Sequence, residues 1–558
     1  MSAATDTPRR PGALRRRLPD PWSAAAAVVA ALVILPIASI VWIALTPAEN
    51  IWPHLMATTL PRYVTNTVVI SGAVGLLAAA VGAGAAWLVV MYRFPGRRWL
   101  EWLLLLPLAI PAYVGAYALV DFLDYAGPVQ SWLRAAFGWR DAQDYWFPEI
   151  RSRWAAVLVL AAALYPYVYL LSRATFREQS GNTYEVARML GLGPWGRFLR
   201  LGLPLARPAI AAGTAIVMME TVNDIGVVEF FAVQTLTFGI FTTWLQTGNA
   251  AGAAQIALVI LAAILMLAGL ERAGRRRMRY HNPSRAQRPV TPIPLRGPAG
   301  WAATAACTLP VLAGFALPVG VMLSHALAAP EAWLAPGLGR ALVNTVAVGG
   351  AAALVTVLAA LVLVYGVRLS ARRLPRLLLP VTLIGYAAPG AVLGLGLLIP
   401  LAAFDNALAD AVLAVSGFDP GLILTGSAAA IGYAYAVRFF AIAQGAVDSA
   451  LGRVTPSLEM AARSLGRGPR ATLLSVHLPL IRASTGTALL LVFVDCVKEL
   501  PATLLLRPFG YETLATRVYA KASLEDIVGA SPPALMVAMV GLAAVLVMAR
   551  TGPGRSHG

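Results

Sequence analysis

The stretch EVARMLGLGPWGRFLRLGLP, residues 185–204, has a second version in the same chain: EMAARSLGRGPRATLLSVHLP, residues 459–479. ARMLGLGP answers ARSLGRGP, and Gly193-Pro194 answers Gly468-Pro469. Gly191 precedes Pro204 by 13 residues, and Gly466 precedes Pro479 by the same 13. The two glycines lie 275 residues apart, so the repeat predicts a chain built of two related halves. Each passage reads as two short helices. TYEVARML and SLEMAARSL favour helix. Gly191 and Gly466 end it with a left-handed cap. Pro194 and Pro469 open a second helix where a missing N–H costs nothing. Pro204 and Pro479 are expected to close that helix before the next apolar run.

The rest of the chain is mostly apolar. Of its 558 residues 59% are hydrophobic and 13% charged, and the mean hydropathy is +0.71. Runs of 20 or so residues with almost no charge are the pattern of membrane-spanning helices. A soluble protein of this size needs far more polar surface. Twelve spans are predicted, at 23–46, 64–91, 99–123, 154–172, 208–230, 251–270, 301–325, 341–366, 376–401, 422–444, 482–500 and 533–549. The fourth, fifth and eleventh contain or abut charge.

The formal charge of +18 is distributed by topology. With the N-terminus placed in the cytoplasm, 33 of the 44 Lys and Arg fall in cytoplasmic pieces, 7 in external pieces and 4 within or at the edges of spans. That bias predicts cytoplasmic N- and C-termini, with anionic lipid facing the arginines. The same distribution argues against nucleic acid as a partner. The expected division is a basic N-terminus (1–21), a first half (22–270) with its repeated loop at 178–205, a basic linker (271–300), a second half (301–549) with its loop at 453–480, and a tail (550–558). Cys307 and Cys496 are 189 residues apart and have no metal-site spacing.

A transporter needs a source of work. The chain has two lysines, Lys498 and Lys521, neither after a Gly-rich phosphate loop, and it has no HExxH. Any ATPase must then be a separate chain, and two corners predict two copies of it.

On these residues the paired passages resemble the EAA loops of binding-protein-dependent ABC importer permeases. The first copy matches at Glu185, Ala187, Gly191 and Pro204, with Gly193 and Pro194 in the same corner. The second matches at Ala461, Ala462, Gly466 and Pro479, with Gly468 and Pro469 in its corner, Glu459 one residue early and Met460 in the usual place of the acid. The resemblance implies an all-α polytopic membrane protein of the type I importer fold, with about twelve helices in two homologous six-helix halves. It implies a bacterial inner-membrane location, docking of the corners on two ABC ATPase subunits that bind ATP-Mg, and an external solute-binding protein. No enzymatic site and no cofactor of its own are expected in this chain.

METVNDIGVVEFFAVQTLTFGIFTTW (219–244) and FVDCVKELPATLLLRPFGYETLATRVY (493–519) are similar to the same regions of fused ferric-iron permeases. Fused thiamine permeases share the layout and are the close alternative. An ion-coupled secondary transporter is the rival class. Glu220, Asp224 and Glu229 follow the first corner inside or near a span, and Asp495, Lys498 and Glu499 follow the second. Charge at membrane depth is costly unless paired or wetted, so these six are the candidates for the translocation path. Asp495 and Lys498 have the spacing of an i,i+3 pair. Carboxylates suit a hard trivalent cation, but a path needs weak contacts, so structural pairing near Pro501 competes with metal ligation. Asn66-Thr67 and Asn344-Thr345 are expected to open the second and eighth spans and to cap or link helices there.

Overall fold

The computed structural model describes residues 21–47, 49–276, 290–369, 373–382, 385 and 388–551. Nearly all of the basic N-terminus, the middle of the linker and most of the tail lie outside the described residues. The described chain is helical, apart from one pair of two-residue strands, β1 (Tyr92–Arg93) and β2 (Ile293–Pro294), which run parallel. The end of the linker is therefore ordered structure: β2 seats it, and a helix begins at Pro298.

Among the described residues, nine helices are long and apolar enough to cross a membrane, and two bent pairs bring the number to eleven. Twelve spans were expected. The 533–549 run lies inside the helix Ile527–Thr551. Four expectations change for local reasons. The 376–401 run is broken: a helix Arg373–Thr382 is followed by a separate one, Gly390–Ser416, which starts after Pro389. The 208–230 run ends its helix at Asn223, and the 482–500 run ends at Val497. The 422–444 run bends by 51° between Ala429–Arg438 and Phe440–Gly452.

The same series of elements occurs twice along the sequence. Trp87 and Tyr365 stand at matching places, four residues before the ends of the long helices Leu60–Met91 and Leu338–Leu369. Asn66, Thr67, Asn344 and Thr345 lie within these helices, not at their starts, and they link helices. Asn66 Nδ2 donates to Gln234 O (2.8 Å) and Asn344 Nδ2 to Glu512 O (2.9 Å). Thr67 Oγ1 accepts from Leu236 N (2.9 Å), as Thr345 Oγ1 does from Leu514 N (2.8 Å). Each pair satisfies backbone groups at the start of a short helix that would otherwise be orphaned in an apolar setting.

The first helix of each half crosses to the other. Pro21–Leu45 packs on Leu338–Leu369 and Gly390–Ser416, and Leu317–Ala328 packs on Ala112–Leu123. Small residues permit the approach: a Cβ at Gly396 would lie 2.3 Å from Pro36 O. Pro36 lacks the N–H that would bond Leu32 O, and Tyr433 Oη from the other half donates to that carbonyl instead, at 2.8 Å.

The prolines expected to stop the second corner helix do not stop it. Pro194–Asn223 and Pro469–Val497 are each one continuous helix that runs from corner to membrane. Five residues before the proline are wound as π-helix, Phe198–Gly202 and Leu473–His477. Leu203 N bonds Phe198 O, and Leu478 N bonds Leu473 O, five residues back. The wider turn just ahead of Pro204 or Pro479 loosens the α-helical ladder where the pyrrolidine ring would strike the carbonyl four residues back, that of Arg200 or Ser475. The corner is thus rigidly joined to the span behind it.

Candidate functional site

Two sites emerge, the exposed corners and a cavity among helix breaks. At the first corner the helix Gly181–Met189 ends in a Schellman motif: Leu192 N bonds Ala187 O and Gly191 N bonds Arg188 O, both at 3.0 Å. At the second, Pro456–Ser464 ends with Arg467 N to Ala462 O and Gly466 N to Arg463 O, also at 3.0 Å. Gly191 (φ 80°) and Gly466 (φ 75°) supply the left-handed residue. Gly193 and Gly468 are the N-caps of the next helices, and Pro194 and Pro469 stand at their first positions.

The corners present apolar side chains to the outside. Leu190 is 77% exposed and its counterpart Leu465 is 79% exposed. Met189, Trp195, Leu458 and Met460 are exposed beside them. The inner faces are seated differently. In the first corner, Trp87 packs against Phe176, Tyr184 and Phe198, with Gly202 leaving room for its indole. In the second, Tyr365 takes the place of Trp87 and His477 that of Gly202, ring against ring at 5.5 Å. Tyr365 Oη also donates to Pro469 O (2.8 Å).

Glu185 is exposed, and Ala187 and Ala462 are buried against the span behind. Glu459 does not take the position of Glu185. It stands where the first corner has Tyr184 and turns inward, pairing with Arg463 (2.5 Å) and with Arg368 Nε (3.5 Å). Met460 is the exposed counterpart of Glu185, and Ala461 is exposed next to it.

The second site is a cavity of about 310 Å³. It is bounded by the breaks at Ile110-Pro111, Asn223–Gly226, Arg438-Phe439 and Lys498–Pro501. Tyr167, Ile442 and Leu491 line it on the corner side of these breaks, Ala112 and Tyr113 line it past the break at Ile110-Pro111, and no lining residue lies past Gly226 or Pro501 on its own helix. Five of the six path candidates line it: Glu220, Asp224, Asp495, Lys498 and Glu499. They correspond in pairs, Glu220 to Asp495 and Asp224 to Glu499, with Asn223 matching Lys498. Glu229 is outside the cavity; it is exposed and accepts from Tyr519 Oη.

Each half uses one carboxylate to restart its broken helix. Asp224 Oδ1 accepts from Val227 N (2.8 Å) and Glu499 Oε1 from Ala502 N (3.1 Å). Lys498 Nζ meets Asp495 Oδ1 at 2.8 Å, the expected i,i+3 pair. Arg438, one of the charges inside a span, was not singled out by the sequence reading. Its Nη1 donates to Asn223 Oδ1 (2.9 Å), its Nε lies 3.1 Å from Glu499 Oε2, and its Nη2 lies 3.7 Å from Glu220 Oε2. An arginine in a span was itself the signal that could have found it. Among the described residues no three His, Cys, Asp or Glu side chains gather as a metal site, and Cys307 and Cys496 are buried and unbridged.

Broken apolar helices around a charged central cavity, joined rigidly to exposed corners, define a membrane transport protein. The profile of the "Binding-protein-dependent transport system inner membrane component" family matches residues 73–280. The sulfate transport system permease protein CysT of Escherichia coli is 30% identical over 217 residues, covering 38% of this chain and 71% of that protein. The chain belongs to this family, the permeases of ABC importers. The Fe(3+)-transport system permease protein FbpB 2 of Haemophilus influenzae is 24% identical over 504 residues, 87% of this chain and 89% of that one. The molybdenum transport system permease protein ModB of Escherichia coli is 27% identical over 199 residues, 34% of this chain and 81% of that one. Permeases of this family carry no ATPase activity of their own.

Proposed function

We propose that this chain is a two-half permease of an ATP-driven importer of the bacterial inner membrane, and that its cargo is ferric iron handed over by an external binding protein. The halves are residues 22–270 and 301–549, joined by the basic linker, with both termini in the cytoplasm. The corners at Gly191 and Gly466 receive two ATPase subunits that bind ATP-Mg. Exposed Leu190 and Leu465 are the apolar anchors of this contact, Glu185, Ala461, Gly193 and Gly468 shape the surface around them, and buried Ala187 and Ala462 seat the corner helices behind it. The continuous helices Pro194–Asn223 and Pro469–Val497 carry the motion of the corners to the cavity.

The observation that carries the cargo reading is the charge of the cavity. Four carboxylates (Glu220, Asp224, Asp495 and Glu499) face two cations, Arg438 and Lys498. Such a lining favours a positively charged solute over an oxyanion. The carboxylates are occupied as helix caps and ion pairs, so they offer the weak contacts of a path and not a holding site. A relative that spans both halves and is named for Fe(3+) transport supports the same cargo. Sulfate or molybdate is the second reading, favoured by relatives that each align with about a third of this chain.

The test is uptake into vesicles holding the permease with its partner ATPase and binding protein. Ferric iron is expected to enter in an ATP-dependent manner, while sulfate, molybdate and thiamine are excluded. Uptake of any of these three without ferric uptake refutes the cargo. Uptake driven by an ion gradient without the ATPase refutes the importer reading.

A further inference from the structure

The two halves match closely at the helix breaks, so a difference there stands out. Arg438 occupies a position whose counterpart in the first half is Ala163. Both residues line the cavity. The second half thus brings into the centre a guanidinium that the first half lacks. Its side chain is 7% exposed, and it reaches acceptors from both halves. Glu499 belongs to its own half, and Glu220 and Asn223 to the other. Asn223 Oδ1 also accepts from Gly390 N at 2.7 Å, a second bond between the halves at the same point. The cluster is closely packed. A Cβ at Gly390 would lie 2.3 Å from Glu499 Oε1 and 2.6 Å from Arg438 Nη1.

This cluster forms the end of the cavity farthest from the corners. On the helices that follow the corners the cavity walls end at Gly226 and Pro501; Asn223, Arg438 and Glu499 lie at three of the four breaks, and Gly390, at the start of the helix after Pro389, packs against them. We propose that Arg438 is the latch of the translocation path: it closes the far end by joining Asn223 and Glu220 of one half to Glu499 of the other. Moving the corners apart or together must break these contacts before solute can pass. A buried guanidinium with three acceptors suits the task, because its interactions are strong while the halves meet and are replaced by hydration once they part. Arg438 is a positioning residue here. It sets which end of the path is open.

The inference rests on the permease reading but not on ferric iron. Its test is sidedness. Ala163→Cys places a thiol in the cavity, and the natural Cys307 and Cys496 are both buried. Right-side-out and inverted vesicles carrying this variant are treated with a membrane-impermeant maleimide, with the unsubstituted chain as blank. With Arg438 present, labelling is expected from the corner side. Adding Arg438→Gln is expected to raise labelling from the opposite side about tenfold, the size of shift that loss of one state-specific interaction produces. Arg438→Lys, which keeps the charge but not the fork, restores part of the closure. Glu220→Gln removes one arm between the halves and gives a smaller increase of the same sign; it also serves if Arg438→Gln does not accumulate. Unchanged sidedness in the folded variants overturns the latch. Failure of ferric uptake with a normal labelling response would refute the cargo alone.

Discussion

Gly202→Ala is the substitution that tests how the first corner is tied to its span. A Cβ at this position would lie 2.4 Å from Trp87 Cζ3 and 3.0 Å from both Cε3 and Cη2. Ordinary contact begins near 3.4 Å, so the indole has to retreat by about 1 Å. Trp87 has little room to do so: it is 6% exposed and packed on three rings, Phe176, Tyr184 and Phe198. Overpacking of this kind costs ~1–3 kcal/mol, and here the strain falls on the joint between corner and membrane. The second corner shows the remedy, a smaller ring at Tyr365 opposite a larger side chain at His477. Trp87→Tyr combined with Gly202→Ala should therefore be more stable than the sum of the two single changes, with a coupling of ~1–2 kcal/mol. The assay is thermal denaturation of the four purified proteins in detergent, together with co-purification of the ATPase. Gly202→Ala as stable as the natural protein, or strict additivity in the double variant, would refute the reasoning.

Gly191→Ala and Gly466→Ala each force an L-residue into the left-handed region and should destabilise their corner by ~1–2 kcal/mol, read as weaker ATPase co-purification with little change in overall helicity by circular dichroism. Ala232 has φ 54° where the matching residue of the second half is Gly510, φ 73°. Gly510→Ala should cost about 1 kcal/mol, while Ala232→Gly should be neutral or stabilising by thermal denaturation, because relief of the backbone offsets the added chain entropy. Thr67→Val and Thr345→Val should each cost ~1–3 kcal/mol, since Leu236 N or Leu514 N is left buried without its acceptor; faster amide exchange at those two residues checks the cause.

The sequence was most legible where a residue's backbone preference decides the shape. Gly191 and Gly466 announce left-handed caps, and Pro194 and Pro469 announce helix starts, because few other residues serve there. The apolar runs announced membrane helices, but not their breaks. A run such as 208–230 resumes its apolar pattern after Asp224, and only the partners of Asp224 in the fold reveal that the helix stops and restarts. Pro204 and Pro479 misled for a related reason: proline's effect depends on the preceding turn, and a π turn absorbs it. Of the cavity, five path residues were visible as charge at membrane depth. Glu229 was not separable from them, since depth along a helix does not tell which side faces the centre. Arg438 was counted among charges in spans, yet its acceptors Asn223 and Glu220 are more than 200 residues away, and no local pattern brings them together.

The most direct test of the account is whether an ATPase grips both corners. Leu190→Asp and Leu465→Asp place a charge on the exposed apolar tips without touching the buried faces. The account predicts that each variant folds and reaches the membrane, that each weakens capture of the ATPase, and that the pair abolishes both capture and ATP-driven uptake. Normal capture and uptake by the double variant would contradict it.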